Sequence, residues 1–429
     1  MFYAAYNILS LVLLVPALFY HLYRSVSRGR PAALGERFGH IPPAGLAAIA
    51  NRPVIWLHAV SVGESIAARP LLKALRLRYP GHCIVVSNTT ETGRGVTSGF
   101  PEKDLCIYFP FDFLPAVRRT LDAVKPAMVI IMETEIWPNF NREAARRGVP
   151  VILANGRISD RSYGRYLRFA WFFRHALEFC SHLCMQTASD RDRIIAIGAP
   201  EERVLTTGNL KYDIPCRLVT PAERATLRKR YAIPEEMTVI TAASTHSGEE
   251  ELVLAAFREL LATNASLMLV LVPRHPERAA QVAGLLEKGE LPFQRRTALA
   301  TAAAPLFSGG AVLLVDTVGE LMDIYALSDL AFVGGSLVAT GGHNLLEPAS
   351  LGVPSIFGPH MTNFREIATL VLKCRAGIQV DDPAGLTAAC RTLIEDASLR
   401  REMGSNGLAM VRENGGATER HMAVIAGYV

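Results

Sequence analysis

Runs of consecutive apolar residues recur along this chain, separated by longer stretches in which apolar positions return with helical spacing. In the first half the runs fall at 54–60, 83–87, 105–109, 127–132 and 149–154, with helix-like segments between most of them. In the second half they fall at 238–243, 266–272, 311–315, 329–333 and 354–357. Uninterrupted apolar runs mark strands buried on both faces, and intervening helices mark parallel sheets covered on both sides. The stretch 211–221 holds two prolines and little periodicity, so it reads as a linker. The pattern predicts an α/β protein with two doubly wound domains facing each other across a cleft, one at 51–214 and one at 215–429. The alanine-rich stretch 298–305 reads as a surface connection.

The amino terminus departs from this alternation. Residues 1–20 carry no charge, and only Asn7, Ser10 and Pro16 interrupt an apolar stretch long enough to span a bilayer. Arg24, Arg28 and Arg30 follow, with no acid before Glu36. Positive charge on that flank predicts a membrane anchor at 1–23, a basic juxtamembrane segment at 24–50 and a cytoplasmic bulk. A cleaved signal peptide would need a basic leader, which is missing. A helix lying on the membrane surface stays open, given the marginal length and Pro16.

Composition narrows the class. A length of 429 residues suits two domains, and 50% hydrophobic against 20% charged residues supplies large cores. The net charge of +5 is modest, and no basic run interleaved with aromatics points to nucleic acid. Seven cysteines without a CxxC pair fit a reducing compartment. Cys180, His182 and Cys184 read as part of a packed helix on which the two cysteines share a face, rather than as a metal site.

Candidate chemistry gathers where strands give way to helices, the place where open α/β sheets bind ligands. GGHNLLEP at 341–348 joins a glycine turn to a helix capped by Asn344. Unpaired N–H groups there attract an anion, and Glu347 can hold sugar hydroxyls. In HAVSVGES at 58–65, Glu64 is a candidate general base. The same spacing, Ser61 to Glu64, is also a capping box in which the carboxylate takes the Ser61 N–H. METEIWP at 132–138 carries Glu133 and Glu135, which point to one side if the segment is extended. Glu133 is favoured as a site residue, the rival being a helix cap with the other acid paired to Arg157. Lys211 can neutralise an anionic substrate or be an ordinary solvated lysine. Acids following Ser244 suit capping, with Ser247 and Glu250 at capping-box spacing. Arg274 and His275 emerge at a strand's carboxyl end, where a guanidinium matches phosphate oxygens. Gly319 and Glu320 sit in a turn able to contact a base. There is no GxxxxGK[ST] loop, no GxGxxG after the first strand, and no metal-ligand motif.

The strings GERFG at 35–39, SVGES at 61–65, METEIWPN at 132–139, GNLKYD at 208–213 and STHSGEEE at 244–251 occur in that order. PRHPER at 273–278, DTVGEL at 316–321, GGHNLLEP at 341–348 and GPHMTNF at 358–364 follow. With them the chain resembles the 3-deoxy-D-manno-octulosonic acid (Kdo) transferases of Gram-negative lipopolysaccharide biosynthesis. The resemblance implies a GT-B fold of two Rossmann-like domains with an N-terminal inner-membrane anchor. It also implies inverting, metal-independent transfer of Kdo from CMP-Kdo to a lipid A precursor, lipid IVA, with no cofactor. By the same resemblance Glu64 is the proton acceptor, and Glu133 and Lys211 stabilise the transition state. The cytidine nucleotide would lie against Arg274, His275, Val318, Gly319, Glu320 and the run Asn344, Leu345, Leu346 and Glu347. The arginines Arg24, Arg28, Arg30 and Arg37 would lie at the anionic leaflet beside the acceptor. Asn155-Gly-Arg157 departs from the family's more common alanine, and the loop 88–93 is variable. Two other readings share many of these features: a UDP-sugar transferase or epimerase of the same fold, and a membrane-anchored binding protein without catalysis.

Overall fold

A computed structural model describes residues 2–28, 33–301 and 307–429. The side chains of Arg24 and Arg28, all of Arg30, and 302–305 of the alanine-rich connection lie outside the described residues.

The chain forms two compact units, Met1–Asp213 with Asn414–Val429, and Ile214–Glu413. In the first, seven strands are β1 (Val54–His58), β2 (Cys83–Asn88), β3 (Leu105–Tyr108), β4 (Met128–Met132), β5 (Val151–Gly156), β6 (His182–Met185) and β7 (Val204–Thr206). They run parallel in the order β3-β2-β1-β4-β5-β6-β7. In the second unit the strands are β8 (Thr238–Thr245), β9 (Leu267–Pro273), β10 (Phe293–Arg295), β11 (Val312–Leu314), β12 (Leu330–Val333), β13 (Ser355–Phe357) and β14 (Gly377–Gln379). Their order is β10-β11-β9-β8-β12-β13-β14, again parallel. Every residue of β1 and β4 is buried, as the uninterrupted apolar runs require. In each sheet the strand order reverses beside the first strand, between β1 and β4 and between β8 and β12. Those are the topological switch points, where a crevice opens outside the carboxyl ends.

Four strands differ from the sequence expectation. β7, β10 and β14 are three-residue edge strands, too short and too exposed to carry a periodic signal. β6 replaces the helix expected around Cys180–Cys184. Its short apolar run is buried between β5 and β7, so Cys184 packs in a sheet and shares no helical face with Cys180.

The expected second domain at 215–429 needs correction at its end. The helix Ala417–Ile425 returns to the first unit and buries Ala417, Met422 and Ile425 in its core. Asp213 caps that helix, accepting from the N–H groups of Ala417 at 3.1 Å and Thr418. His421 donates from Nδ1 to the Ala417 carbonyl at 2.7 Å, leaving Nε2 to accept from the Asn155 N–H at 3.0 Å. Burial lowers the His421 pKa, which keeps that acceptor neutral.

The amino-terminal helix is Phe2–Arg28, and its part Phe2–Tyr20 is long and apolar enough to cross a membrane by length and composition. The basic segment after it does not behave as expected at Arg37. That side chain is buried, donates to the Thr89 carbonyl at 2.7 Å and lies over the Tyr108 ring, so it is part of the core rather than of a membrane surface. Its neighbour Glu36 accepts from Arg94 at 2.7 Å and from the Tyr108 N–H at 2.9 Å.

Candidate active site

Glu64 and Glu133 stand at the carboxyl ends of the two strands that flank the first switch point. Beyond β1 the chain turns at Val60 and Ser61 into the helix Val62–Arg78, with Ser61 as its N-cap. The capping box forms in a shifted version. Glu64 Oε2 accepts from the Val60 N–H at 2.7 Å, not from Ser61, while Oε1 accepts from the Ser61 hydroxyl at 3.1 Å. The Glu64 carboxyl is nonetheless no ordinary cap, because its pKa is raised to about 7. Burial is the main cause, opposed by the Val60 N–H and reinforced by the negative charges of Glu133 and Glu135. The candidate base and the cap are therefore the same side chain.

After β4 the segment is not extended as expected. Glu133 takes a left-handed φ of 56°, a strained setting for a residue with a Cβ, which breaks the alternation on which the i, i+2 reading relied. Glu135 is brought near Glu133 all the same, and its pKa is raised to about 7 by burial and then by Glu133. Neither carboxylate has a side-chain hydrogen bond or ion pair among the described residues, so the expected pairing of one with Arg157 is not seen. Arg157 instead offers backbone groups to the Thr134 hydroxyl. Three acids thus share one electrostatic neighbourhood. Glu135 was quoted from its motif without a role, and no spacing rule distinguishes it from Glu133.

Lys211 sits in a short 3-10 turn, Leu210–Tyr212, whose Leu210 is buried in the core beneath the post-β1 helix. Leu210 donates its N–H to Asn155 Oδ1 at 2.9 Å, so Lys211 is held at the β5 end of the same sheet. Its ammonium has no carboxylate partner among the described residues.

At the second switch point the loops after β8 and β12 meet. His246 Nε2 lies 2.8 Å from His343 Nε2 with the rings stacked 5.1 Å apart, so one nitrogen donates and the other accepts. His275, at the end of β9, brings its ring to 6.0 Å from His246. The His343 pKa is lowered to about 4 by burial first, then by Arg274, His246 and His275. Arg274 and His275 are exposed, and the Arg274 guanidinium has no partner among the described residues. Neither His246 nor His343 was singled out in the sequence, although both sit inside strings quoted for other residues.

A buried carboxylate builds this junction. Glu249 is fully buried and accepts from the N–H groups of His246, Gly335, Ser336 and Leu337. The box thus runs from His246 to Glu249, not from Ser247 to Glu250 as expected; Glu250 pairs with Arg278 at 2.7 Å. Gly334 permits the close approach, since a Cβ there would meet the Ser244 carbonyl at 2.6 Å. The N-cap of the short helix Leu346–Ala349 is Leu345 rather than Asn344 as expected. Asn344, one residue earlier, accepts from the Leu346 N–H through Oδ1 at 3.1 Å, and its amide reaches Glu347 at 3.4 Å. Burial raises the Glu347 pKa against the opposing effects of Asn344 and Arg274. Leu345 and Leu346 are buried and offer only backbone to a ligand.

The Val318, Gly319 and Glu320 turn is bonded separately. The Glu320 carboxylate is already engaged, with Arg296 at 2.9 Å, Tyr231 at 3.1 Å and Thr317. Val318 is 84% exposed at its tip, and Gly319 has a left-handed φ of 92°. That turn can offer its backbone and an apolar side chain, but not a free acid.

Two doubly wound parallel sheets, each with polar groups at its own switch point, define the GT-B fold class. The fold resembles the crystal structure of UDP-GlcNAc 2-epimerase from Neisseria meningitidis bound to UDP-GlcNAc, with a TM-score of 0.55 over 87% of this chain and all of that one. At 14% identity that likeness is one of fold. The family model described as 3-deoxy-D-manno-octulosonic-acid transferase (kdotransferase) matches residues 32–214. The chain is 36% identical over 404 residues to the 3-deoxy-D-manno-octulosonic acid transferase of Haemophilus influenzae, covering 92% of this chain and 91% of that protein. It is 34% identical to the enzyme of the same description from Bordetella pertussis, over 91% of this chain and 89% of the relative. The chain belongs to the Kdo transferase family, glycosyltransferases of lipopolysaccharide biosynthesis.

Proposed function

We propose that this transferase moves Kdo from CMP-Kdo to the hydroxyl of a lipid A precursor, lipid IVA, at the inner membrane, with inversion and without a metal ion. Glu64 is the general base. It removes the acceptor hydroxyl proton as that oxygen bonds to the anomeric carbon and the bond from that carbon to the CMP phosphate breaks. The observation that carries this reading is the placement of the Glu64 carboxyl, buried beyond β1 and oriented by the Val60 N–H and the Ser61 hydroxyl, with a pKa raised to about 7 that suits proton acceptance near neutral pH. Glu133 and Lys211 stabilise charge in the transition state. The first unit supplies this chemistry, and the second holds the nucleotide.

In the second unit Arg274, His275 and the backbone of Val318, Gly319, Glu320 and Asn344 to Glu347 bind the cytidine nucleotide. A free guanidinium and N–H groups at a loop-to-helix junction suit a departing phosphate, so electrostatic stabilisation needs no divalent cation. The arrangement also supports the choice of an anionic donor, since Arg274 makes no ion pair with a carboxylate among the described residues, the buried Glu347 only feeling its charge.

Incubating the protein with CMP-Kdo and a tetraacylated lipid A precursor, with mass spectrometry of the lipid, tests the whole reading. Addition of at least one Kdo mass is expected, and it should persist in excess chelator. Calorimetry adds the discriminating control: binding of UDP without binding of CMP would replace this reading with a UDP-sugar enzyme of the same fold.

A further inference from the structure

The first two turns of the amino-terminal helix are docked on the first unit. The Tyr6 hydroxyl donates to Asp112 Oδ2 at 2.7 Å, and the Tyr3 hydroxyl donates to the His175 carbonyl at 2.6 Å. The Asn139 amide donates to Asn7 Oδ1 at 2.8 Å. Phe2 stacks on His175 at 4.4 Å and meets Phe172 edge-on at 5.3 Å, both from the helix Ala170–Leu177. The Arg142 guanidinium lies 4.1 Å over the Tyr3 ring. Asp112 is not a casual partner, since it also accepts from the N–H groups of Asn139 and Phe140 and so caps the helix Pro138–Arg146. A helix crossing a bilayer would hold this end on the far side of the membrane from the unit that follows it.

The remaining turns are apolar and uncovered. Ile8, Val12, Val15, Phe19 and Tyr23 are each more than half exposed, at 68%, 63%, 55%, 69% and 73%. With about 3.6 residues per turn they form one stripe, on the face opposite Tyr3, Tyr6 and Asn7. The docked turns face the protein and the stripe is the face farthest from them, while Leu11, Leu13 and Tyr20, each also more than half exposed, leave the helix apolar and uncovered on its other faces beyond those turns. The patch continues onto the unit itself, where Trp171, 63% exposed, meets the Phe2 ring edge-on, and Leu167 and Phe169 are also exposed. Arg161, Arg165 and Arg168 are exposed along the helix Asp160–Arg168 that leads into it. Aromatic and aliphatic side chains bordered by arginines match the boundary between headgroups and acyl chains of an anionic bilayer.

We propose that the amino-terminal helix is an in-plane anchor: it lies in one leaflet of an anionic phospholipid membrane, with both ends on the side of the catalytic unit. The inference shares with the proposed function only the membrane setting. The anchor ties the lipid surface to the helix following the Glu133 and Glu135 segment, because Asp112 joins Tyr6 to the start of that helix.

Topology decides the matter in the full-length protein carrying a protease-sensitive epitope before Met1. In sealed vesicles of both orientations, the epitope is expected to be cut only where the catalytic unit is exposed. Cleavage only from the opposite face overturns the in-plane anchor. A second readout uses the double variant Phe2→Cys with His175→Cys, treated in membranes with a short bifunctional maleimide and compared with each single variant. A crosslink joining positions 2 and 175, mapped by mass spectrometry of the digested chain so that links to the seven native cysteines are told apart, is expected in the double variant, and its absence in membranes overturns the docking. Both readouts are independent of catalysis. If the wild-type chain transfers no Kdo yet crosslinks and is cut on the unit's side, the functional reading falls and the anchor stands.

Discussion

At the switch point of the first sheet the acids Glu64 and Glu135 stand beside the buried His58, and at that of the second sheet His343 stands beside the buried carboxylates Glu249 and Glu347. Burial opposes charge in both places, with opposite consequences. Glu64 and Glu135 are pushed up to about 7, so they hold or accept a proton in the neutral range. His343 is pushed down to about 4, so it is neutral at working pH and serves as a hydrogen-bonding group. That leaves Arg274, exposed and unpartnered among the described residues, as the fixed positive charge of the second site. On the proposed function, desolvation raises the carboxyl that accepts the proton in one unit, and in the other it leaves the anion to a guanidinium that cannot lose its charge.

The largest expected effect comes from removing the acceptor. Glu64→Gln keeps an oxygen for the Val60 N–H but cannot take a proton, and kcat should fall by about 100- to 10,000-fold. Its stability should change the other way. A carboxyl whose pKa is 4.5 when unfolded and about 7 when folded supports folding fully below 4.5, and that support disappears as pH rises through 7. The ionised wild-type group costs on the order of 3 kcal/mol at pH 8, from the size of that displacement. Glu64→Gln should then melt a few degrees higher than wild type at pH 8, with the gap closing by pH 5. Lost transfer together with a lower melting temperature at pH 8 would mean the side chain is chiefly a cap, and the comparison between the sheets would fail.

Much of this contrast was legible in the sequence, for a physical reason that also marks where legibility stopped. Ten of the strands came from apolar runs, because a strand buried on both faces writes its burial into every residue. The loops after β1, β4, β8, β9, β11 and β12 could then be placed at carboxyl ends, which located Glu64, Glu133, Arg274, Glu320 and Asn344. Partnerships across sequence distance were not readable. Nothing near His246 announces His343, ninety-seven positions on. Nothing near Asp213 announces the helix at Ala417 that it caps, which is why the second domain was carried to the end of the chain. The Glu64 motif was ambiguous between cap and base because both functions use the same carboxylate, and only the depth of its burial separates them.

The middle-sized effect sharpens the other half of the contrast. Arg274→Ala should weaken CMP binding about 10- to 100-fold, the range for losing a charge-assisted pair of hydrogen bonds, as read by calorimetry. Melting should not change, since the side chain is exposed and its guanidinium has no partner among the described residues. The same variant removes a positive neighbour from His343, whose pKa should rise above about 4 in an NMR titration. Unchanged CMP affinity would return anion binding to the histidines and the backbone. The two sites would then differ less in charge than the burial argument requires.

The smallest effect bears on which of two equally displaced acids is the base. Glu64 and Glu135 each sit at about 7, and two interacting acids titrate as a pair, so pKa alone does not assign the role. Geometry favours Glu64, which is fixed by the Val60 N–H and the Ser61 hydroxyl, whereas Glu135 has no such support among the described residues. A base held by two donors keeps one orientation through the reaction, which proton transfer requires. Wild-type kcat should rise with pH through about 7 as Glu64 ionises. Glu135→Gln removes a negative charge that raises the Glu64 pKa, so the rising limb should move to lower pH by less than about one unit. Its plateau above pH 8 should stay within about twofold of wild type, because by then Glu64 is ionised in both proteins. A plateau lowered by orders of magnitude would make Glu135 the proton acceptor and leave Glu64 as its electrostatic neighbour. A limb that stayed in place would mean Glu64 does not sense Glu135, and its raised pKa would rest on burial and Glu133.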